Sequence, residues 1–372
     1  MKKINHYKKT AGFLFFTVLF SSSLTLACDA VLREFSRDCA IQDKLVKLRA
    51  DFAAEGVDIN EISEYRTLRF IDRWSWENAK TNNIAPLRIY QPAPQTWQVW
   101  DGGIRTLFSQ QRKGVLGRMR LDMPTVAHIN TVLLTNGDTS ITDPNTDRAK
   151  KPGEYRTSSD LAVGYCNRGV TNSAGYIDEA RLSTERFQSD WESRAGMSFR
   201  DLVRAKNGPE PDAATLAATI YQDDRYNHCA ASSTWVSYSP GEDVEKTMKW
   251  IQIFVEENLR LYRANNPALS PVEMAAFVQR WFVTLHPFAD GNGRTSRGIQ
   301  DYIMLHFDMP FVPAGDLQND AMEIFENYLD STYSKIESML NVLETCVNTV
   351  DYRNTTAPKP FYCTTVNELN AR

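Results

Sequence analysis

A stretch of twelve residues in the second half of the chain carries most of the side chains that could do chemistry. It runs from His286 to Arg297 and reads His-Pro-Phe-Ala-Asp-Gly-Asn-Gly-Arg-Thr-Ser-Arg. A histidine with an unperturbed pKa of about 6.5 can accept a proton from a hydroxyl at neutral pH. Asp290, the one carboxylate of the stretch, is suited to hold Mg²⁺ beside phosphate oxygens. Together these residue types predict chemistry at a phosphate group.

The spacing places this chemistry at the start of a helix. Pro287 disfavours helical backbone at His286, so a helix that arrives from upstream should end there. Gly291 and Gly293 allow a sharp turn and a close approach of the backbone to a ligand. A helix that begins near Arg294 would then direct backbone N–H groups at an anion.

Two arginines on that helix strengthen the prediction. Arg294 and Arg297 lie three positions apart and therefore share one face. Ile299, Ile303 and Phe307 follow at four-residue steps and centre on the opposite face. Guanidinium groups bind phosphate oxygens in pairs. We therefore predict that one face enters the core while the other meets phosphates.

The stretch resembles the signature of the Fic (Fido) domain family, His-Pro-Phe-x-Asp/Glu-Gly-Asn-Gly-Arg-x-x-Arg, and matches it at every fixed position. The resemblance implies transfer of a nucleoside monophosphate, usually AMP from ATP, onto a hydroxyl of a target protein. It implies that His286 is the general base on that hydroxyl. It also implies that Asp290 is the residue that holds Mg²⁺.

The same resemblance implies which residues hold the nucleotide. The backbone of Gly291, Asn292 and Gly293, together with the Asn292 side chain, would form an anion hole around the transferred phosphate. Arg294 and Arg297 would hold the outer phosphates. Members of the family often carry an inhibitory helix with the pattern Ser/Thr-x-x-x-Glu-Gly/Asn. The chain has no clean match to that pattern.

Helical patterns around the stretch predict a mainly α fold. Ser270-Pro271-Val272-Glu273 is a capping box with proline at the first helical position, and it predicts the helix that reaches the loop. Ser239-Pro240-Gly241-Glu242 predicts another helix start in the same way. Asp308-Met309-Pro310 predicts a stop, and a last long helix is expected over about 319–344. This succession of helices around one loop resembles the Fic core.

The resemblance further implies a β-hairpin flap that aligns the target segment by strand addition. Lys151-Pro152-Gly153-Glu154-Tyr155-Arg156 resembles its opening, and Thr234-Trp235-Val236-Ser237-Tyr238 resembles its end. The 77 residues between these segments predict an insertion at about 157–233. The expected fold is a Fic-type helical core with this flap, a helical N-terminal region and the insertion in the flap.

The N-terminus predicts export. Four lysines between positions 2 and 9 precede an apolar run over 11–20, and Thr25-Leu26-Ala27 then places small residues where signal peptidase requires them. These are the features of a secretory signal peptide cleaved after Ala27, which leads to a secreted or periplasmic protein. Cys28 directly after the cleavage site leaves a lipoprotein open as the alternative. An uncleaved anchor is a further alternative.

These features divide the chain into a signal peptide (1–27), a helical N-terminal region (28–122), a Fic domain (123–345, with the flap at about 151–240) and a C-terminal tail (346–372). The formal net charge of −4 becomes −8 when the four signal-peptide lysines are removed. An acidic chain without a basic stripe argues against nucleic acid as a partner.

Six cysteines remain after cleavage, and an even count in an exported chain allows disulfides. Cys28 and Cys39 are expected within one amphipathic helix, about 16 Å apart and too far to bond. The predicted pairs are Cys166–Cys229 and Cys346–Cys363.

We therefore predict an exported protein adenylyltransferase, a toxin or effector, that uses ATP and Mg²⁺ and modifies a Ser, Thr or Tyr hydroxyl of a target protein docked on the flap. Transfer from UTP or CDP-choline, or removal of a modification at the same site, are the alternatives within the family. A non-catalytic secreted binding module is the alternative from another class. The intact His286, Asp290, Asn292 and both arginines argue against it. A membrane partner is expected only if Cys28 is lipidated.

Overall fold

Helices dominate the part of the chain that the computed structural model describes: residues 28, 30–70, 77–78, 81–82, 94–112, 119–135, 151–157, 162–166, 186–211, 233–237, 241–315, 323–354 and 356–370. The predicted mainly α fold is confirmed. In chain order the elements are α1 (Ser36–Ala54), α2 (Ser63–Thr67), α3 (Pro94–Arg112), α4 (Met123–Thr135), β1 (Ala162–Cys166), α5 (Phe199–Ala205), β2 (Ser233–Ser237), α6 (Val244–Arg263), α7 (Pro271–Leu285), α8 (Asn292–His306), α9 (Phe325–Thr349) and α10 (Val366–Asn370). Residues 186–195 are also helical. Short 3₁₀ turns lie at Ala30–Glu34, Ile59–Glu61, Gly241–Asp243 and Phe361–Cys363.

Helix α7 lies at the centre of the core. Every residue of α7 except Glu273 is buried, and the helix packs against α6, α8 and α9. Phe277 contacts Phe254 of α6 and Phe325 of α9, with ring centroids 5.1 and 5.7 Å apart. Its apolar side chains face several neighbouring helices at once, as expected of a helix in the interior. Because α7 ends at the predicted active loop, the core determines where that loop lies.

The N-terminus of α7 confirms the predicted capping box. Ser270 Oγ accepts the N–H of Glu273 at 3.1 Å, and the Glu273 carboxylate accepts the N–H of Ser270 at 2.8 Å. Asp38 of α1 adds a second acceptor, because its Oδ2 receives the N–H of Val272 at 3.1 Å. Helix α1 is thereby attached to the start of the helix that carries the loop.

Four predicted helix boundaries can be compared with the structure. α8 ends at His306, so the predicted stop at 308–310 is confirmed. α6 begins at Val244 after a 3₁₀ turn, later than predicted from Ser239. α9 begins at Phe325 rather than near 319, because Ile324 just before it has an extended ψ of 143°. It also continues past the predicted end to Thr349.

Strands β1 and β2 form a two-stranded antiparallel sheet, with Ala162 opposite Ser237 and Cys166 opposite Ser233. β2 overlaps the segment predicted to end the flap. The segment predicted to open it, 151–156, is not a strand and precedes β1. Much of the predicted insertion lies outside the described residues. The role of this hairpin as a target-binding flap stays a prediction.

The N-terminal region shares one continuous hydrophobic core with the rest of the described chain. Its disulfide overturns the expectation that Cys28 and Cys39 are too far apart, because they are bonded with a Cα–Cα distance of 5.4 Å. α1 begins only at Ser36 and Phe35 before it is non-helical, so Cys28 folds back instead of continuing the helix axis.

The predicted bond between Cys346 and Cys363 is confirmed. The predicted partner of Cys166, Cys229, lies outside the described residues, as do residues 1–27 with the predicted signal peptide. No helix in the described ranges combines the length and the hydropathy needed to cross a bilayer.

Candidate active site

His286 ends α7 in a left-handed backbone conformation, with φ 50° and ψ 58°. Such a conformation costs a non-glycine residue roughly 1–3 kcal/mol and persists only where the surroundings hold it. The ring atom Nδ1 lies 3.2 Å from the carbonyl oxygen of Val283. Because a carbonyl can only accept, Nδ1 carries the proton of the neutral ring, and Nε2 keeps the lone pair that a general base needs.

Arg156 holds the backbone around His286 in place. Its N–H donates to the carbonyl oxygen of Pro287 at 3.0 Å. Its side chain donates through Nε to the His286 carbonyl at 2.6 Å and through Nη2 to the Leu285 carbonyl at 2.9 Å. Two of these bonds satisfy the carbonyls of Leu285 and His286, which the end of α7 leaves without intrahelical partners, and the third holds Pro287 just beyond the helix. A buried arginine from a distant segment thus stabilises the strained histidine.

Tyr155 binds the next residue of the loop. It forms an isolated antiparallel bridge with Phe288, and the two rings stack with centroids 4.6 Å apart. Its hydroxyl donates to the carbonyl oxygen of Met123 at 2.7 Å. Burial raises the pKa of Tyr155 far above its ordinary value, so its role here is packing rather than proton transfer. We call residues 151–157, which carry Tyr155 and Arg156, the strap.

Asn292 closes the loop with its side chain. Its Oδ1 accepts the N–H of Phe288 at 2.8 Å, and its Nδ2 donates to the Phe288 carbonyl at 2.7 Å. These two bonds use Oδ1 and one of the two hydrogens on Nδ2, so the expectation that this side chain also faces the transferred phosphate stays a prediction. The backbone N–H of Asn292 lies in the first turn of α8, where it has no acceptor within the helix.

Asp290 and Gly291 form the turn into α8. Asp290 Oδ1 accepts the N–H of Gly291 at 2.6 Å. The other carboxylate oxygen, Oδ2, receives no hydrogen bond from the described residues. Gly291 has a φ of 75°, and a Cβ there would lie 2.8 Å from Leu134 Cδ2. The turn therefore requires glycine on two counts, backbone conformation and space.

The first turn of α8 carries the backbone N–H groups that are predicted to bind an anion. Gly291 precedes the helix without a side-chain cap, and the first intrahelical bond runs from the N–H of Thr295 to the Gly291 carbonyl at 2.8 Å. The N–H groups of Asn292 and Gly293 therefore have no acceptor within the helix. They lie where the helix dipole favours negative charge. The predicted anion site thus has the expected backbone geometry.

The two arginines follow on this helix, each partly buried. Arg297 reaches the segment after α8, where its Nη2 donates to the carbonyl oxygen of Gly315. One such bond uses one of the five N–H donors of the guanidinium. Asp301, one turn further, is buried and accepts the N–H of Val312 at 3.2 Å, which ties the same segment to α8. The position of Arg297 is thus coupled to residues 311–315.

A single magnesium ion fits the groups that the loop offers. Among the described residues, no cluster of three or more His, Cys, Asp or Glu side chains could by itself enclose a metal. Mg²⁺ in phosphate-transfer sites instead takes one or two carboxylates and completes its shell with phosphate oxygens and water. Asp290, with one carboxylate oxygen not hydrogen-bonded to described residues, matches that requirement.

Two residues that hold the site were not recognised as site residues from the sequence: Arg156 and Asn130. Asn130 of α4 is buried and bonds to the loop, to α8 and to the strap. Its signal in the sequence is its position within the apolar run 126–134, since a buried amide needs partners. Its partners could not be read from that run.

Comparison with known sequences points to one family. Residues 213–304 match the family model described as "Fic/DOC family", and this span includes the whole stretch 286–297. A uridine 5'-monophosphate transferase from Xanthomonas campestris pv. campestris (strain 8004) is 34% identical over 86 residues, which cover 23% of this chain and 16% of the relative. A Fido domain-containing protein from Dictyostelium discoideum is 33% identical over 94 residues, which cover 25% of this chain and 62% of the relative. The chain thus spans less than two thirds of either relative.

Among solved structures, a Fic domain containing signaling protein from Bacteroides thetaiotaomicron aligns with 85% of this chain and 92% of its own length. The sequence identity is 13% and the TM-score is 0.37.

Proposed function

We propose that this chain, whose residues 213–304 match the Fic/DOC family model, is a nucleotidyltransferase that moves AMP from ATP onto a hydroxyl of a target protein. The observation that carries the proposal is the loop 286–291. It joins the histidine at the end of α7 to the anion-binding N-terminus of α8. A base and an anion site on the two sides of one short loop suit attack by a hydroxyl on a phosphate.

In the proposed reaction, Nε2 of His286 takes the proton of the target hydroxyl as its oxygen attacks the α-phosphorus of ATP. A new oxygen–phosphorus bond forms, the bond between the α-phosphorus and the bridging oxygen breaks, and pyrophosphate leaves. The proton stays on His286 until solvent removes it. The Val283 carbonyl keeps Nδ1 protonated and so presents Nε2 as the acceptor.

The remaining predicted site residues are assigned to the phosphates. The N–H groups of Asn292 and Gly293 would bind the oxygens of the transferred group, and Arg294 and Arg297 would hold the departing pyrophosphate. Asp290 would hold Mg²⁺, which neutralises phosphate charge when it is bound. Positioning and fixed dipoles supply the acceleration in this scheme.

UTP is the second candidate donor. The observation that favours it is the matched relative from Xanthomonas, which is a uridine 5'-monophosphate transferase by name. The phosphate-binding groups described above contact no nucleobase in the proposed scheme, so they serve either nucleotide. The experiment below therefore compares several donors in parallel.

Export is the proposed setting, and the disulfides support it. Bonds such as Cys28–Cys39 and Cys346–Cys363 persist in oxidising compartments. The Cys28 sulfur is bonded to Cys39, and a lipid anchor would need the same atom, so the disulfide argues against lipidation of Cys28. A toxin or effector that meets ATP inside another cell is the role we propose for such a protein.

The test is transfer of label by the oxidised chain that begins at Cys28. It is incubated with Mg²⁺ and labelled ATP, UTP or CDP-choline in parallel, with and without a cell lysate as the source of targets. We expect label from ATP on a discrete protein band, absent with His286→Ala and present with His306→Ala, a matched exposed histidine on α8. If label is transferred only from UTP or only from CDP-choline, that molecule is the donor in place of ATP. No label from any donor, or full activity of His286→Ala, would contradict the proposal.

A further inference from the structure

Asn130 is buried in α4 and uses its whole side-chain amide in three hydrogen bonds. Its Nδ2 donates to the Asp290 carbonyl at 3.2 Å and to Thr295 Oγ1 at 2.9 Å. Its Oδ1 accepts the N–H of Gly153 at 2.7 Å. A primary amide has two donor hydrogens and one carbonyl oxygen, so all of its groups are engaged. The three partners belong to three different parts of the site.

The two donor bonds reach both ends of the turn that carries the proposed metal ligand. Asp290 is that ligand, and its carbonyl is held by Asn130 directly before the left-handed Gly291. Thr295 is buried in the first turn of α8, where its N–H makes the first intrahelical bond. The amide therefore fixes the backbone of the ligand relative to the helix whose N–H groups face the phosphate.

The accepting bond reaches the strap. Gly153 has a φ of 79°, and a Cβ there would lie 2.3 Å from Thr131 Oγ1, so the strap packs directly on α4. Two residues later, the strap pairs with Phe288 and holds the carbonyls of residues 285–287 through Arg156. The strap thus supports the histidine side of the loop, while Asn130 supports the aspartate side and binds the strap itself.

We infer that Asn130 is a positioning residue that sets the affinity of the active loop for its divalent cation by holding the backbone of Asp290. The inference rests on the proposed function for the identity of the site. It adds a residue 160 positions from the ligand, whose side-chain amide is engaged by protein groups alone. Loss of an outer-shell partner of a metal ligand typically lowers metal affinity 10–100-fold.

Asn130→Asp is the informative variant. It keeps an oxygen for the Gly153 N–H but replaces both donor hydrogens with an oxygen that faces the Asp290 carbonyl. We expect Mn²⁺, measured by electron paramagnetic resonance with a non-hydrolysable ATP analogue present, to bind at least about 10-fold more weakly. The Mg²⁺ concentration for half-maximal transfer should rise by a similar factor.

Asn258→Asp is the matched control. Asn258 is a buried asparagine of α6 whose amide also bonds at both ends, to Trp191 Nε1 at 2.9 Å and to the Phe254 carbonyl at 2.8 Å. The same change there should lower stability and leave Mn²⁺ affinity unchanged. Thr295→Val is the second variant, in case Asn130→Asp does not fold. It removes one acceptor of the Asn130 amide, and we expect weaker Mn²⁺ binding from it as well.

The outcomes separate the two proposals. Unchanged Mn²⁺ affinity in Asn130→Asp or in Thr295→Val, or an equal loss in Asn258→Asp, would overturn the positioning role, whether or not the wild-type chain transfers nucleotide. Suppose that Asn130→Asp and Thr295→Val bind Mn²⁺ more weakly, that Asn258→Asp does not, and that the wild-type chain transfers no nucleotide. This result would support the positioning role and contradict the nucleotidyltransferase. Selective loss together with a raised Mg²⁺ requirement for transfer would support both.

Discussion

The side chain of Asn292 is hydrogen-bonded through both of its polar atoms to the backbone of Phe288, at 2.7 and 2.8 Å. The bonds cross the loop from the first residue of α8 to the residue after Pro287. They close a ring of backbone that contains Asp290 and Gly291. The side chain therefore keeps the loop folded.

Replacement of Asn292 by aspartate should open this ring. The variant keeps an acceptor for the Phe288 N–H but loses the donor to the Phe288 carbonyl, which is buried. An unsatisfied buried carbonyl costs about 1–3 kcal/mol, so we expect a loss of that size in urea unfolding. Nucleotide transfer should fall more steeply than stability. Asn367→Asp, at an exposed position in α10, is the control, and equal behaviour of the two variants would contradict a closing role.

Replacement of Gly291 by alanine should lower the stability of the protein for two separable reasons. Its left-handed backbone costs an alanine about 1–2 kcal/mol, and its Cβ would meet Leu134 Cδ2 at 2.8 Å. Gly196 has a φ of 69° and nothing within 4 Å of its Cβ position, so Gly196→Ala carries only the backbone cost.

Chemical denaturation of both variants measures the difference. We expect Gly291→Ala to lose clearly more stability than Gly196→Ala and also to lose transfer activity. The double variant Gly291→Ala with Leu134→Ala should lose less stability than the sum of the two single variants, because the smaller side chain at position 134 relieves the clash. Full additivity would show that Leu134 does not contact position 291 as described.

The buried carboxyl of Asp301 predicts a pH dependence of stability. Burial raises the pKa of Asp301 to about 7 against the opposing charges of Arg69 and Arg297 and the N–H of Val312. The native state therefore keeps a proton that the unfolded chain releases near pH 4. The stabilisation that the native protein gains from binding this proton is fully present below about pH 4, and it is lost as the pH rises to about 7.

Asp301→Asn removes this titration and keeps the oxygen that accepts the Val312 N–H. We expect its free energy of unfolding to rise relative to wild type between pH 5 and pH 8, measured by urea titration at both values. Asp308→Asn, at an exposed position in the following turn, is the control for the substitution itself. A difference from wild type that is constant with pH would count against the raised pKa.

The bond between Cys346 and Cys363 should stabilise the chain by restricting its unfolded state. The cysteines are 17 positions apart, and closing a loop of that size is worth about 3 kcal/mol. We expect Cys346→Ala with Cys363→Ala to lose about that amount under oxidising conditions. When both proteins are reduced, wild type should have nearly the same stability as the double variant, because the agent opens Cys28–Cys39 equally in each. If reduction leaves the difference intact, packing rather than the bond is responsible.

The sequence by itself determined the parts of the site that are local. The identities and spacing of His286 to Arg297 predicted the loop, the helix that follows it and the face that the arginines share. The capping box at Ser270 and the proline at 287 predicted both ends of α7. These predictions succeeded because caps, proline breaks and helical periodicity depend on residues within about one turn of each other.

Only the tertiary structure decided which distant residues hold the loop. The partners of Asn130 lie 23, 160 and 165 positions away, and those of Arg156 lie about 130 positions away. The sulfur of Cys28 reaches Cys39 because the chain turns back at Phe35 before α1. A hydrogen bond or disulfide depends on positions to within about an ångström. That precision arises only when the helices pack around α7.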